Sequence, residues 1–384
     1  MGIERPSQEL GQGRLRRRLL LMAIGVASAV SIVAVSVAAT GLRHGGTVAS
    51  TGGSRGTELA TAGSARSSSP TPHAASFGLP ALGGSQSVAT TEPGLDDVGD
   101  PFVLTVPAGV GGNPQVSYVL YWTTDWNSNV PTAVSSDLVH WHRVADSLPK
   151  LPSWAFPSAT MTWGPTVHRV GATWVLYFST EDAASRLECL GRATSSSPTG
   201  PFTDTSSAPL VCQTALGGDI DPSVVTEPSG ASALLWKNDG NATGSPVSLW
   251  EQPLAADGLS VTGSPTTLLG ADQAWEHNIV EGPVMLAASK GGWWLFYSGG
   301  TWQSNTYDTG VAWCATVAGP CRKASTAPLL ASTPTAVSPG GFDTFVDAHG
   351  RLWASYSAFP EAPPNARAAM AESRVLEIAP VLSH

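Results

Sequence analysis

Tyr118-Val119-Leu120-Tyr121-Trp122, Trp174-Val175-Leu176-Tyr177-Phe178, Ala233-Leu234-Leu235-Trp236, Trp293-Trp294-Leu295-Phe296-Tyr297 and Leu352-Trp353-Ala354-Ser355-Tyr356 are versions of one apolar, aromatic-rich run, with centres about 56 to 61 residues apart. Each is short and bounded by Gly, Ser, Asn or Asp, which is strand chemistry rather than helix chemistry. A second element precedes each run: Asp100-Pro101, Gly164-Pro165, Asp221-Pro222 and Gly282-Pro283, with Pro339-Gly340 as a degenerate fifth copy. Proline is tolerated at a strand entrance because the first residue need not donate to the ladder. Almost no stretch shows helical periodicity with caps. Repeats of about 58 residues, each holding several short strands, predict an all-β fold, a five-bladed β-propeller. A β-sandwich would account for the strands but not for their regular spacing.

Working outward, the propeller is expected over residues 93–384. Residues 41–92 are Ser, Thr, Gly and Ala with scattered charge and no periodicity, and read as a flexible linker. Ahead of them, Arg14, Arg16, Arg17 and Arg18 close a basic flank (1–18) before an uncharged, mostly apolar run over 19–40. That order is the pattern of an export signal or membrane anchor, and about 22 residues suffice to span a bilayer. The run is read as an uncleaved anchor with its basic end in the cytoplasm; cleavage after Val37-Ala38-Ala39 is the alternative. Either way the globular part is expected outside the cytoplasm, with a membrane partner if the segment is retained.

Cysteine placement agrees with export. The four cysteines suggest two disulfides, most simply Cys189–Cys212 and Cys314–Cys321. Metal ligation competes weakly, since the chain has no C-x-x-C pair and no clustered His. A net charge of −9, with no basic stripe beyond the first twenty residues, argues against nucleic acid as a partner.

Repeat register brings distant residues together. Equivalent positions in successive blades lie at equivalent places around the axis, so residues just before the entrance prolines should ring one mouth of the channel. Asp100, Asp221 and Glu281 occupy that ring or its edge, and the second repeat places Trp163-Gly164 there. Clustered carboxylates raise the pKa of at least one of them. A protonated acid beside an ionised base is the division of labour that glycosidic cleavage requires. Taken singly, Asp100 and Asp221 read equally as turn openers, because Asp-Pro favours turns. Three acids in matching register favour a site.

At these residues the sequence resembles glycoside hydrolase family 43, the propeller family of arabinofuranosidases, xylosidases and arabinanases, over most of residues 96–384. The resemblance rests on Asp100-Pro101, Ser136-Asp137-Leu138-Val139-His140-Trp141, Trp163-Gly164-Pro165-Thr166-Val167, Ala193-Thr194-Ser195 with Gly200-Pro201-Phe202, Asp219-Ile220-Asp221-Pro222-Ser223, Val280-Glu281-Gly282-Pro283 and Leu295-Phe296-Tyr297-Ser298-Gly299. It implies an inverting hydrolase of pentose-containing oligo- or polysaccharides. Asp100 would be the general base, Glu281 the general acid, and Asp221 the residue that orients the acid and adjusts its pKa. Inversion implies carboxyls of Asp100 and Glu281 roughly 6.5–9.5 Å apart.

Trp163 is expected to stack on substrate because it shares the ring with the acids. Trp302 and Trp275 are weaker stacking candidates, each more readily core or rim, and His277, four residues before Glu281, either lines the substrate site or stands in an exposed loop. Lys237 either reaches the pocket or faces solvent. No cofactor is expected. Family members often carry a central His beside a calcium or water site, whereas residues 338–343 here contain none, and His349 reads as an exposed turn. Two rivals remain: a non-catalytic glycan-binding propeller tethered to the surface, and a retaining fructosidase-type propeller. The second would need carboxyls about 5–5.5 Å apart, and its Arg-Asp-Pro step is absent, since Ile220 precedes Asp221.

Overall fold

A computed structural model describes residues 79–384, apart from 88–94, 96, 111–114, 116, 126, 158–160 and 364–372. The basic flank 1–18 and the apolar run 19–40 lie outside the described residues. Among the described residues, no helix is long and apolar enough to cross a membrane.

Two short strands come first, β1 (Ala81–Leu82) and β2 (Gln86–Ser87), followed by blade I: β3 (Phe102–Val106), β4 (Ser117–Tyr121), β5 (Thr132–Ser135) and β6 (Trp141–Arg143). Blade II has β7 (Thr162–Val170), β8 (Thr173–Glu181) and β9 (Glu188–Ser195). Blade III has β10 (Asp219–Thr226), β11 (Ser232–Asn238), β12 (Ser248–Pro253) and β13 (Thr266–Gly270). Blade IV has β14 (Val280–Ala287), β15 (Trp293–Gly299), β16 (Asp308–Cys314) and β17 (Cys321–Lys323). Blade V has β18 (Val337–Val346), β19 (Leu352–Phe359) and β20 (Val375–Ser383). All pairings are antiparallel between sequence neighbours, except that β20 also pairs with β1 and β2. The sheets form the expected five-bladed propeller.

The repeated runs are the second strands of their blades, and they are continuously apolar because both faces are covered. Along β4, Val119 and Tyr121 pack with Val167 and Leu176 of blade II. Tyr118 and Leu120 pack with Phe345 and Ile378 of blade V. Along β11, Leu234 and Trp236 meet Val175 and Tyr177 of blade II, whereas Leu235 meets Leu295 and Tyr297 of blade IV. Trp294 and Phe296 complete the circle against Phe342 and Ala354 of blade V. Strand periodicity sends alternate side chains to opposite faces, so each run feeds two interfaces.

The ring is closed by the N-terminal strand. Ala81 pairs with Ser383 and Leu82 with Val381, so blade V takes its outer strand from the other end of the chain. These residues fall in the stretch read as linker; a two-residue strand needs only backbone hydrogen bonds, which composition does not signal. Blade II lacks a fourth strand. Isolated pairs Leu190–Val211 and Thr194–Thr203 stand in for it, and Cys189–Cys212 pins that return segment. Cys314–Cys321 bridges paired residues of β16 and β17.

One entrance differs from expectation. The fifth copy lies at Gly341-Phe342, not at Pro339-Gly340. Strand β18 slips register twice against β19, between Val337 and Gly340 and again between Gly340 and Asp343. The extra slip advances the equivalent position by residues that counting along the sequence cannot register.

Two residues past Gly341, Asp343 lines the axial pocket and accepts a hydrogen bond from Thr344 N–H. It is half-buried by surface exposure but walled in by the inner strands, and this burial pushes its carboxyl up to about 7. Between its ordinary value of 3.8 and about 7, the folded chain holds a proton that the unfolded chain releases. Its contribution therefore turns unfavourable as pH rises through that window. Asp343→Asn should leave Tm unchanged below pH 4 and raise it by at least about 3 °C at pH 8. Melting curves across pH check this, and a pH-independent change would contradict it.

Candidate functional site

At the head of the axis every innermost strand turns through a left-handed residue. These are Asp100 (φ 50°), Gly164 (φ 53°), Asp221 (φ 58°), Gly282 (φ 59°) and Gly341 (φ 63°). Only Gly adopts this region freely, while Asp and Asn tolerate it best among the others, and the two non-glycine positions are both Asp. Where β7, β10, β14 and β18 pass this point, the ladder slips, as in a β-bulge. Bulges re-aim side chains at barrel and sheet rims. The pocket here is lined by the same three positions of every blade, from the left-handed residue to the second beyond it.

Both ring aspartates lie against a glycine of the preceding blade. A Cβ on Gly341 would stand 2.8 Å from Asp100 Oδ1, and one on Gly164 would stand 3.2 Å from Asp221 Oδ1. Asp100 Oδ2 accepts a 2.6 Å hydrogen bond from Thr123 Oγ1, and Asp221 Oδ2 accepts Gly282 N–H at 3.0 Å. Glu281 is one residue before the ring position and receives Lys237 Nζ at 2.8 Å. Trp163 holds the matching place in blade II and is half-buried.

The three acids share one field. Burial raises the Asp100 carboxyl; Arg374 and Thr123 oppose the rise, while Glu281 and Asp97 add to it. Asp221 is pushed well above the usual range by burial, then by Glu281 and Asp100, with Lys237 and Gly282 N–H opposing. The Tyr307 phenol is also driven up, by burial first and then by Glu281, Asp100 and Asp221. Its ring fills the space above Gly340, where a Cβ would approach within 2.2 Å. Lys237 is 1% exposed, and its pKa is raised although burial alone would lower it, because Glu281, Asp239 and Asp221 surround it. Among the described residues, no group of three or more His, Cys, Asp or Glu is placed to hold a metal ion.

Asp100, Asp221 and Glu281 are thus brought together as expected, with Trp163 beside them. The Trp302 ring lies 4.7 Å from the Arg374 guanidinium and packs against Val337 and Phe359, so it supports the cation that acts on Asp100. Asp97 holds the same guanidinium at 3.0 Å. His277 is exposed and caps the one-turn helix Ala274–Glu276, and it is not among the groups acting on Asp100 or Asp221. Trp275 stacks on Tyr297 as core.

Sequence reading missed Thr123, Tyr307 and Arg374. Thr123 had a signal: each apolar run is followed by one polar residue, namely Thr123, Ser179, Lys237, Ser298 and Ser357. Oγ of Thr123, Ser179 and Ser298 accepts the N–H of the next blade's left-handed residue, at 3.2 Å from Gly164, 3.1 Å from Asp221 and 3.0 Å from Gly341. Arg374 and Tyr307 sit outside the repeats' shared motifs and reach the site only by folding. The glycine packing yields a direct test: Gly164→Ala strains a left-handed position and puts a methyl 3.0 Å from Asp221 Cα. That variant should keep its far-UV spectrum and lose at least about tenfold in turnover, since small misplacements in a site are expensive; unchanged turnover would show that the ring tolerates the shift.

The family description "Glycosyl hydrolases family 43" matches residues 110–381. Comparison with curated proteins finds no match. Among solved structures, a thermostable family-43 glycoside hydrolase is 22% identical, with a TM-score of 0.63, covering 75% of this chain and 90% of that one. An endo-1,4-beta-xylanase from Bacteroides thetaiotaomicron VPI-5482 is 23% identical, with a TM-score of 0.59 and coverage of 73% and 89%. An endo-arabinase from the same organism is 21% identical, with a TM-score of 0.59 and coverage of 75% and 95%. The structural likenesses speak for the fold, and the sequence match spans more than half of the chain. Together with the acid-ringed mouth, that match makes the protein a member of glycosyl hydrolases family 43, and so a glycoside hydrolase.

Proposed function

We propose that the chain hydrolyses pentose-containing glycans, arabinan or xylan and their oligosaccharides, with inversion at the anomeric carbon. The observation that carries this is the convergence of Asp100, Asp221 and Glu281 at one mouth in three different environments. The names of two similar structures, an endo-1,4-beta-xylanase and an endo-arabinase, direct the reading towards pentose polymers.

Asp100 serves as general base. Arg374 and the Thr123 hydroxyl favour its ionised form against burial, as a group that must receive a proton requires. It takes a proton from water while that oxygen bonds to the anomeric carbon from the face opposite the leaving group. The glycosidic C–O bond breaks, and Glu281 gives its proton to the departing oxygen. Asp221 exchanges no proton with substrate. Its carboxyl holds the N–H of Gly282, the residue after Glu281, and thereby sets where the acid stands. Trp163 offers its ring face to the sugar. Exchange with solvent then returns a proton to Glu281 and removes one from Asp100.

Two disulfides suit a compartment outside the cytoplasm. With the basic and apolar segments at 1–40, we read the protein as exported, either anchored through 19–40 or released.

The full chain should hydrolyse aryl pentosides, arabinan or arabinoxylan, and the first-formed anomer seen by ¹H NMR should be inverted. Glu281→Gln and Asp221→Asn should each lower turnover by on the order of 10²–10⁴-fold with the fold retained. Retention of configuration would refute the water-mediated mechanism. Glycan binding without hydrolysis, unaffected by Glu281→Gln, would make the chain a tethered lectin instead.

A further inference from the structure

The polar residue after each apolar run is a hydroxyl in blades I, II, IV and V, and a lysine in blade III. Lys237 cannot accept the N–H of Gly282, and the Asp221 carboxylate takes that N–H in its place. The lysine is then turned to Glu281, with Nζ 2.8 Å from Oε2. A second carboxylate, Asp239, stands 3.4 Å from the same Nζ, and both Lys237 and Asp239 are buried, at 1% and 7% exposed.

This arrangement conflicts with acid catalysis as it stands. An ammonium against a carboxylate favours loss of the proton that a general acid must carry. A buried ammonium left without a partner would be equally costly. A second acceptor within reach resolves both demands. We infer that Lys237 is a positioning residue passed between Glu281 and Asp239: it rests on Asp239 while Glu281 carries its proton, and moves to Glu281 once that proton has gone to the leaving oxygen. Asp239 thereby becomes part of the acid's machinery, at one remove from substrate. This rests on the assignment of Glu281 as general acid.

The surrounding charges define what the pair responds to. Glu281 faces Asp100, Asp221, Asp239, Lys237 and Tyr307. Asp239 faces Lys237, Glu281, Asp219 and Glu188. Burial raises Asp239, and Lys237 opposes the rise. The cation thus stands within reach of both carboxylates, 2.8 Å from Glu281 and 3.4 Å from Asp239.

The test separates this inference from the reading beneath it. On the full chain, rates are measured against pH for nitrophenyl glycosides, which leave without protonation, and for an unactivated disaccharide, which does not. Asp239→Asn should hold Lys237 on Glu281. It should move the alkaline limb about one unit to lower pH, and slow the disaccharide at least about tenfold more than the nitrophenyl substrate. Lys237→Ser, which restores the hydroxyl of the other blades, should move the limb to higher pH, and adding Asp239→Asn to it should change little further. A crystal structure of Glu281→Gln, which mimics the protonated acid, should show Lys237 Nζ on Asp239. Equal loss on both substrates with an unmoved limb, additive effects of the two substitutions, or Nζ still on residue 281 in that structure would each overturn the inference while leaving Glu281 as acid. A parent that hydrolyses neither substrate class would instead overturn the reading of the site, and this inference with it.

Discussion

Each innermost strand must enter the axis through a left-handed residue, and the backbone N–H released there has to find an acceptor away from the ladder. An unpaired buried N–H costs about as much as a lost hydrogen bond. In three blade-to-blade junctions the acceptor is a hydroxyl from the preceding blade: Thr123 for Gly164, Ser179 for Asp221, and Ser298 for Gly341. These bonds fasten neighbouring blades at the mouth, where the apolar interfaces thin out. They also fix the backbone from which the acids project. Between blades III and IV the Asp221 carboxylate does the same work, so the geometry of blade IV and the environment of Asp221 are one constraint.

That constraint explains the electrostatics. Burial first, and then the neighbouring acids, raise Asp100 and Asp221, and two cations oppose the rise. Arg374, braced by Asp97 and covered by Trp302, acts on Asp100. Lys237, standing where other blades have a hydroxyl, acts on Glu281 and Asp221. The two carboxylates expected to exchange protons thus have separate cationic partners, held on separate blades.

Ring integrity has to be maintained against the same pressures. Five apolar interfaces carry the packing, and each second strand contributes to two of them, so a lost side chain there opens the wall of two blades. Closure through β1 ties both ends of the described chain into blade V. In blade II, where a fourth strand is missing, Cys189–Cys212 and two isolated backbone pairs hold the outer edge. The blade whose strands carry Trp163 and Ser179 is thereby kept in place at the mouth.

Much of this was determined by the sequence alone. Apolar runs such as Trp174-Val175-Leu176-Tyr177-Phe178, spaced evenly and buried on both faces, specify repeated strands, and Asp-Pro or Gly-Pro steps in register specify where they meet the axis. Register then sufficed to unite Asp100, Asp221 and Glu281, because periodic position is a one-dimensional property, and the even count and adjacent placement of the cysteines sufficed to pair them. What only the tertiary structure decided lies where that periodicity fails. The double slip in β18 moved the fifth entrance to Gly341, and β1 reached across the whole chain to close the ring. Arg374 and Tyr307 came to the acids from outside the repeated motifs. Trp302 came to lie over the Arg374 guanidinium. Lys237 read as ambiguous, since whether a polar residue after a strand meets solvent or a carboxylate depends on the neighbouring blade. These are contacts between blades, and their partners are set by packing in three dimensions, which no local spacing encodes.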